Sequence, residues 1–466
     1  MVEKDGELFS LNAGVGGCEW EEGCSYVYRL SFTLDVWDST FTYHVRMSHR
    51  AGSFLNGEEN LHIPAMYFSE ETRKIRVDWG DGTSGEWTSS PGHALKHVVP
   101  DGWEGDVVVS VAGASPYIIM QGSYVQGIAG IEIEGSDLYD SRDGCNCIIE
   151  TETGELVYAG IDFTFHPCIV SLGSYSLATI ECEELVIPEG VESLGRSAVC
   201  GYNYYTRSVR IPSTLVGICD AAFDGSMLDE ATVDPGNPVY DSRAGCKCIM
   251  ETGTDYLVLA TADMALPPET RGVRPYACQR YPSGFIFPSC CTDYCSESFT
   301  SNNLMQSADF PAGSTIGQSA FYSSRLETVG FSGAGTVIGK LAFRNCTRLE
   351  EVSVPSGCTV GERAFGGCYS ITKATLGCEL SGRRVFENCS SLRTLELLDG
   401  FSAAWADDFY GCPLGSITVR CAEPPVCGGF NLGESGTLHI PSGDGWDAWA
   451  RETGFTDAGW TILKDL

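Results

Sequence analysis

A unit of about 22 residues repeats along most of this chain. In its clearest form, an aliphatic residue is followed by Gly, two variable residues, Ala, Phe, two more variable residues and Cys, as in Ile338–Cys346. An apolar anchor takes the Phe position at Leu177, Val199, Phe223, Cys278, Phe299, Phe321, Phe343, Phe365, Phe386 and Phe409. A β-like run that ends in Pro, such as Val352–Pro355, lies between anchors. One strand and one tight turn at this period predict a solenoid.

The unit has an apolar face that it cannot bury alone. Stacked units bury a continuous core, in which each unit touches its neighbours. Val352 and Val354 alternate along their strand and should point to one face. Gly at the turn supplies a conformation or a close approach that a side chain would obstruct. We therefore expect a mostly β fold, with about ten units of about 22 residues forming the solenoid.

The repeat also resembles a known family. At these residues the chain resembles the BspA-like leucine-rich repeats of bacterial surface proteins, especially those of gut Bacteroidetes, over roughly residues 160–441. The resemblance implies a surface-exposed array, and adhesion to host matrix or to other bacteria is the usual assignment in that family. The turn Gly is replaced at Cys219, Arg274, Cys295 and Trp405, so the shape of those turns is left open.

A longer segment is duplicated within the array. Tyr139–Thr151 matches Tyr240–Thr252 at an offset of 101 residues. Each copy is followed by a polar turn and an apolar run, which predicts β-hairpin inserts near 139–160 and 240–261. The second insert accounts for the one long gap between anchors, from Phe223 to Cys278.

The 22 cysteines could indicate disulfides, but their positions favour another interpretation. One group lies three residues after Phe anchors and should stack as a ladder of structural thiols: Cys346, Cys368, Cys389 and Cys412. Free Cys behaves as a small hydrophobe in such a position. Two C-x-C pairs, Cys145/Cys147 and Cys246/Cys248, are predicted on strands with both sulfurs on one face. We predict no metal there, because zinc sites use wider spacing and additional ligands.

Disulfides fit better at two other places. Cys290, Cys291 and Cys295 cluster in an irregular repeat, and Cys18 lies close to Cys24 in sequence. The sequence does not decide whether either group is oxidised.

The N-terminal part has a different pattern. Alternating runs separated by turn residues predict an antiparallel sandwich over residues 26–113. The runs are Tyr26–Asp35, Phe41–Arg46, Lys74–Asp78 and Asp106–Ala112. Val77–Thr83 and His97–Val111 resemble the "DWGDGT" hairpin and the ending of PKD domains, which serve as spacers and interaction modules. Asp78 and Asp81 could be calcium ligands, but Asp in a tight turn more often bonds its own backbone, and we favour the turn.

Charge and hydropathy exclude several partners. Asp and Glu outnumber Lys and Arg by 62 to 29, a net charge of −33, which disfavours nucleic acid and anionic membranes as partners. No apolar stretch reaches the length of a membrane span, so direct membrane insertion is not expected. Met1–Ser10 lacks the features of a signal peptide. Either a native export signal was replaced by an initiator Met, or the protein is not exported by the signal-peptide route.

The sequence contains no recognisable catalytic set. It lacks G-x-S-x-G, H-E-x-x-H, phosphate-binding loops and nucleotide-binding fingerprints. His166–Cys168 is interpreted as structural. We therefore predict a non-enzymatic protein without a cofactor.

These observations lead to two functional hypotheses. The first is a cell-surface or extracellular adhesion protein whose repeat array binds a protein or glycan on host or neighbouring cells. Exposed tyrosines in the turns are the expected contacts: Tyr202, Tyr204, Tyr205, Tyr281 and Tyr322. The second is a structural or receptor-binding component of a phage particle, which the missing signal peptide and reduced-looking cysteines favour.

The predicted organisation has four parts. They are an N-terminal segment (1–25), a PKD-like or Ig-like sandwich (26–113), the leucine-rich repeat array (114–441) and a C-terminal cap (442–466). The cap is expected to contain a short helix that, with Phe455 and Trp460, covers the open end of the array.

Overall fold

The computed structural model describes residues 2–4, 7–9, 37–47, 58–91, 95–100, 102–120, 127–142, 144–199, 205–278, 287–403, 405–433 and 435–466. The chain divides into two compact units, Met1–Val36 and Trp37–Leu466. In the first, Val2–Lys4 and Glu7–Phe9 form an antiparallel pair. The predicted strand Tyr26–Asp35 and the Cys18/Cys24 pair lie outside the described residues.

The second unit begins with antiparallel β-structure in two layers. The described strands of one layer run in the order Ile128–Glu134, Ser39–Arg46, Glu104–Gly113, Thr72–Asp78 and Ser84–Trp87. The other layer pairs Glu58–Ile63 with Leu95–Pro100, and Ala65–Tyr67 with Tyr117–Ile119. Phe41 and Tyr43 alternate along one strand and pack into a shared core with Leu61 and Ile63. Because Ile128–Glu134 joins this layer, the sheet extends past residue 113, where the sequence placed the start of the array.

The turn that carries the two aspartates is held by its own hydrogen bonds. Asp78 accepts a bond from the Gly80 N–H at 3.0 Å, and Asp81 accepts one from the Thr83 N–H at 2.8 Å. This confirms the turn interpretation of these carboxylates. His97 contacts Asp81 at 2.7 Å and stacks on Trp79 at 4.9 Å between ring centroids. Two segments that resemble the PKD pattern therefore meet, although membership of that family stays a prediction.

The duplicated segments form two antiparallel sheets, which we name the first and second partitions. The first consists of Tyr139–Asp140, Cys147–Glu150 and Glu155–Ala159. The second consists of Tyr240–Asp241, Ile249–Glu251 and Tyr256–Leu259, with a 3₁₀ turn at Arg243–Gly245. Each predicted hairpin is thus extended by a third short strand that precedes it.

Each partition continues into a parallel sheet of short strands, one for each coil of the solenoid. After the first come Ser171–Leu172, Ser193–Leu194 and Gly217–Ile218. After the second come Gly272–Val273, Asp293–Tyr294, Thr315–Ile316, Val337–Ile338, Thr359–Val360, Glu379–Leu380 and Ser402–Ala403. The mostly β solenoid predicted from the period is confirmed.

The runs before Pro and their equivalents form the other wall of the solenoid, again with parallel pairing. The described residues form three groups of neighbouring strands in this wall: Glu184–Val186, Ser208–Ile211 and Glu230–Val233; then Ser307–Phe310 and Thr328–Phe331; then Glu351–Val354, Lys373–Leu376, Thr394–Leu397, Ser416–Val419, Thr437–His439 and Thr461–Leu463. Inward residues such as Val352 and Val354 are buried, and the residues between them face outward.

The solenoid core is divided by the partitions. In the second partition, Ile249 and Leu259 pack into the core on the N-terminal side, whereas Met250 and Leu257 pack into the core on the C-terminal side. The first partition likewise places Ile148 in the sandwich core and Ile149 in the solenoid core. The expectation of one continuous core is therefore wrong, because each partition is a sheet that buries apolar residues on both of its faces.

The turn glycines permit close approach between coils. A Cβ atom on Gly339 would lie 2.7 Å from the carbonyl oxygen of Ile316, and one on Gly382 would lie 1.9 Å from the Glu362 nitrogen. The left-handed conformation falls two residues after the Gly, for example at Leu341 (φ 60°) and Arg363 (φ 52°).

Three of the turns without Gly keep this shape. The residues two positions after Cys219, Arg274 and Cys295 also have positive φ, namely Ala221, Tyr276 and Glu297. The turn at Trp405 differs, since Asp407 lies outside the left-handed region.

The C-terminal end of the array is covered by a helix, α1 (Asp444–Glu452). Trp446 and Trp449 on α1 are buried, and Trp449 donates a hydrogen bond to the Pro425 carbonyl oxygen at 2.8 Å. Phe455 packs beside Trp460, with 5.3 Å between ring centroids. Among the described residues, no helix has both the length and the apolar character needed to cross a membrane.

Candidate binding surface

The anchor phenylalanines of the C-terminal coils stack in a column. Consecutive ring centroids from Phe299 to Phe409 lie 4.6–5.5 Å apart, with interplanar angles of 4–13°. The column consists of Phe299, Phe321, Phe343, Phe365, Phe386 and Phe409, each at most 1% exposed. Phe430, which the repeat pattern did not predict, adds a further ring 5.9 Å beyond Phe409. Phe223 is also buried, but it lies in the core between the two partitions.

The cysteines after these anchors form a second column. Each sulfhydryl donates to the carbonyl oxygen of the anchor Phe one coil earlier, at 3.0–3.2 Å. The donors are Cys346, Cys368, Cys389 and Cys412, all buried and reduced. Burial raises the pKa of the Cys346 thiol to about 12. These thiols therefore act as packing groups, and in four coils each satisfies a buried carbonyl.

This interior fixes what each turn presents to solvent. Because the anchor points inward, the residue that follows it points outward, and Tyr322 and Tyr410 occupy this position in their coils. Tyr410 is 50% exposed and Tyr369, one residue after Cys368, is 51% exposed. Together with Trp405, at 43%, they define what we call the aromatic ridge: Tyr322, Tyr369, Trp405 and Tyr410.

Contacts between coils connect Tyr322 and Tyr369. The Tyr322 hydroxyl accepts a hydrogen bond from the Asn345 side-chain amide at 3.2 Å. Asn345 in turn lies against Gly367. A Cβ atom placed on Gly367 would lie 3.8 Å from the Tyr369 hydroxyl, so the two residues are close to each other. The next coil continues the connection, since the Gly367 N–H donates to the Glu387 carbonyl oxygen at 2.7 Å.

Two arginines cover the C-terminal rings of the ridge. The guanidinium carbon of Arg383 lies 4.8 Å from the centroid of Trp405, and that of Arg384 lies 5.6 Å from the centroid of Tyr410. These distances are within the range of cation–π attraction. The rings and the guanidinium groups therefore hold each other in place on an exposed surface.

Carboxylates fix the same arginines from the side. Asp407 accepts from Arg383 at 2.9 Å and from Arg384 at 3.3 Å, and Glu387 accepts from Arg384 at 3.1 Å. Burial raises the pKa of Asp407, but hydrogen bonds from the two arginines outweigh it, and the pKa lies below its usual value. Asp407 is thus ionised at neutral pH and keeps the arginines oriented.

Comparison with known proteins identifies the repeats. Residues 161–248, 276–348 and 314–422 match the family described as BspA type leucine rich repeat region, in six copies that together span just over half of the chain. The chain belongs to the BspA-type leucine-rich repeat family. No curated protein gives a significant match to it.

Solved structures of several bacterial leucine-rich repeat proteins are similar to this BspA-type chain. A leucine-rich repeat protein from Eubacterium ventriosum has 16% identity and a TM-score of 0.40, covering 55% of this chain and 70% of its own. A leucine rich cell surface protein from Faecalibacterium prausnitzii has 17% identity and a TM-score of 0.35, covering 52% and 69%. A leucine-rich repeat protein from Bacteroides ovatus has 17% identity and a TM-score of 0.32, covering 53% and 68%. None of these matches favours the phage alternative.

One BspA-type coil carries a carboxylate in its interior. Asp408 takes the place that Ala holds before other anchors, such as Ala342 and Ala364, and it is fully buried. Its Oδ1 accepts from the Val385 N–H at 3.4 Å, while Oδ2 has no hydrogen-bond partner among the described residues. Burial raises the pKa of Asp408 to about 7, and the neighbouring charge of Asp407 adds to the shift.

The tyrosines predicted as contacts have different positions. Tyr205 is 45% exposed and belongs to the coils between the two partitions. Tyr322 is partly buried and lies at one end of the aromatic ridge. Tyr202, Tyr204 and Tyr281 lie outside the described residues. The sequence analysis did not select Tyr369, Trp405 or Tyr410. The position directly after a Phe anchor was a signal that could have identified Tyr410.

The described part of the chain contains no group of three or more His, Cys, Asp or Glu side chains arranged to hold a metal ion. Acidic side chains pair instead with basic residues of neighbouring coils, as in Lys340–Glu362 at 2.9 Å and Arg348–Glu327 at 3.4 Å. These exposed pairs align adjacent coils, and each contributes little to stability.

Proposed function

We propose that this BspA-type protein is a non-enzymatic binding protein of the cell surface or extracellular space. Its C-terminal coils would bind a protein or glycan on host or neighbouring cells. The aromatic ridge is the observation that carries the proposal. Exposed Trp and Tyr beside Arg is the composition of energetic hot spots in protein interfaces.

The ridge is also organised before any ligand arrives. Trp405 and Tyr410 are covered by guanidinium groups that Asp407 and Glu387 hold in place. Ordering a long side chain on binding costs free energy, and a surface whose side chains are already fixed avoids much of that cost. A buried polar cluster would instead indicate a structural role, but these rings are 43% and 50% exposed.

The other parts of the chain are assigned supporting roles in this proposal. The PKD-like sandwich (26–113) would serve as a spacer. The array would present the ridge, and the cap (442–466) would close its end. To test whether the sandwich acts only as a spacer, it is fused to an unrelated protein and ligand binding by the fusion is measured. A spacer should confer no binding.

The ridge is tested by direct binding. The purified chain is screened on a glycan array and on immobilised matrix proteins, and any hit is measured again with the double variant Trp405→Ala/Tyr410→Ala. We expect affinity to fall at least about tenfold, as for truncated hot spots. Tyr117→Ala is the matched control, because Tyr117 is 52% exposed but lies in the sandwich. Equal binding by the double variant and the control, with unchanged melting, would exclude the ridge as the binding surface.

A further inference from the structure

Two cysteines of the second partition are in direct contact. The Cys248 sulfhydryl donates to the Cys246 sulfur at 3.0 Å. Residues i and i+2 of an extended strand have Cα atoms about 6.7 Å apart. Here Lys247, between the cysteines, has φ 58°, and this left-handed residue bends the chain so that the sulfurs meet. The prediction that this pair lies on a strand is therefore wrong, since the strand begins at Ile249.

The equivalent pair in the first partition is arranged differently. Asn146, between Cys145 and Cys147, is also left-handed, with φ 50°. The Cys147 sulfhydryl nevertheless donates to the Ser141 carbonyl oxygen, at 3.6 Å. The two copies of the motif thus share a backbone bend. In the second copy Cys246 also donates to the Cys248 carbonyl oxygen at 3.5 Å, and this copy adds the sulfur–sulfur contact.

We propose that Cys246 and Cys248 form an oxidisable dithiol that hydrogen peroxide converts to a disulfide within the second partition. The sulfurs need to approach by only about 1 Å to reach bonding distance. Both residues are at most 2% exposed, so the oxidant must be small. Hydrogen peroxide satisfies this requirement, whereas a bulky disulfide such as oxidised glutathione does not.

The chemistry divides between the two sulfurs. The Cys246 thiolate attacks one peroxide oxygen, the O–O bond breaks, and the departing hydroxide takes a proton to become water, which leaves a sulfenic acid on Cys246. The Cys248 sulfur then attacks the Cys246 sulfur and expels the hydroxyl group, which leaves as water with the Cys248 proton. Two thiols and one peroxide give one disulfide and two waters, with two electrons transferred.

The contact also determines which sulfur reacts first. Because Cys248 donates to it, the Cys246 sulfur accepts a hydrogen bond, and this bond lowers the pKa of Cys246 below its usual value. Burial raises the pKa of Cys147 in the first partition, and of Cys346 in the cysteine column, to about 12. Thiolate is the reactive form, so at pH 8 Cys246 should oxidise before those thiols.

The turn that carries the pair joins several charged groups. Arg243, three residues before Cys246, contacts Asp241 at 2.8 Å and Asp255 at 2.7 Å. Lys247 contacts Glu230 at 3.2 Å and Asp263 at 3.6 Å. The disulfide would restrict the conformation of this turn, whose Arg243 and Lys247 side chains already form ion pairs with residues before and after it in the sequence.

The test is peptide mapping of the whole reduced protein after peroxide treatment at pH 8, with quenching by an alkylating reagent in denaturant, so that buried thiols are also labelled. We expect a disulfide-linked Cys246–Cys248 peptide to form at least about tenfold faster than any product at Cys145/Cys147 or in the cysteine column. Equal rates at the two C-x-C pairs, or alkylation of Cys246 and Cys248 as free thiols after peroxide, would overturn the proposal.

A variant supplies a second readout. In Cys248→Ser the Cys246 sulfenic acid cannot be resolved, so it should accumulate and be trapped when a 1,3-dione reagent is added together with denaturant, which exposes the buried sulfur. Cys147→Ser is the matched control and should leave the Cys246–Cys248 disulfide unchanged. If Cys248→Ser does not fold, mapping of the wild-type protein still decides the question. Absence of the trapped adduct in a folded Cys248→Ser protein would contradict the assignment of Cys246 as the attacking sulfur.

Discussion

The buried carboxylate of Asp408 predicts an unusual dependence of stability on pH. Its pKa rises from 3.8 to about 7 because burial disfavours the charged form. The folded state therefore holds this proton more tightly than the unfolded state does. The resulting stability is fully present below the unfolded pKa and is lost as pH rises through the folded pKa, between about pH 4 and pH 8.

The size of the effect follows from the shift. About three pKa units at 1.36 kcal/mol each give an upper bound of about 4 kcal/mol lost by pH 8. Asp408→Asn removes the charge but keeps the shape, so it should equal the wild type near pH 4. It should exceed the wild type by up to about 4 kcal/mol in free energy of unfolding at pH 8.

The assay is urea unfolding at a series of pH values, followed by tryptophan fluorescence. Trp446, Trp449 and Trp460 belong to the core that contains the coil of Asp408, so part of the signal reports on that core. Asp457→Asn, at an exposed carboxylate within the cap, is the control for the substitution itself. A stability difference for Asp408→Asn that is constant from pH 4 to pH 8, or one that favours the wild type at pH 8, would refute the reasoning.

Other predictions follow from the coil packing and the partitions. Gly361→Ala should destabilise by about 1–3 kcal/mol in urea unfolding, because its Cβ would lie 2.9 Å from the previous coil, whereas Gly253→Ala, with open space around it, should not. Phe365→Ala should cost about 3–5 kcal/mol in the same assay, and a loss under 1 kcal/mol would show that the column is not close-packed. Deleting residues 442–466 should lower the melting temperature and solubility, and unchanged melting would exclude the capping role. A fragment of residues 237–466 should unfold cooperatively on its own, and a broad transition by circular dichroism would show that its core needs the first segment.

Much of the solenoid could be predicted because its key residues repeat at a fixed spacing. Phe343 and Cys346 recur one coil apart, and an in-register stack places such residues directly above one another. The spacing alone therefore predicted a column of thiols. The hydrogen bond from each thiol to the previous Phe carbonyl did not follow from it, because that bond depends on the side-chain torsion in the folded coil.

Features that depend on contacts between coils were harder to predict. The turn Gly could have supplied a special conformation or a close approach, and only the neighbouring backbone shows that Gly339 permits approach while Leu341 takes the left-handed conformation. The aromatic ridge joins residues from different repeat positions, so no single period identifies it. The bend at Lys247 was missed because C-x-C beside an apolar run is typical of a strand, whereas Lys is not a residue that favours positive φ.

The partitions determine how a chain of this kind can grow. A simple solenoid has one core that all its coils share. Unfolding at one end therefore exposes the core of every coil. Here each partition has two apolar faces, so it completes the core on one side and begins a separate core, or compartment, on the other. The two partitions are 101 residues apart in the sequence. Copying one partition with its coils would add a compartment that is already closed at both ends. The reach of the protein can thus lengthen in whole blocks, while a defect stays confined to the block in which it arises.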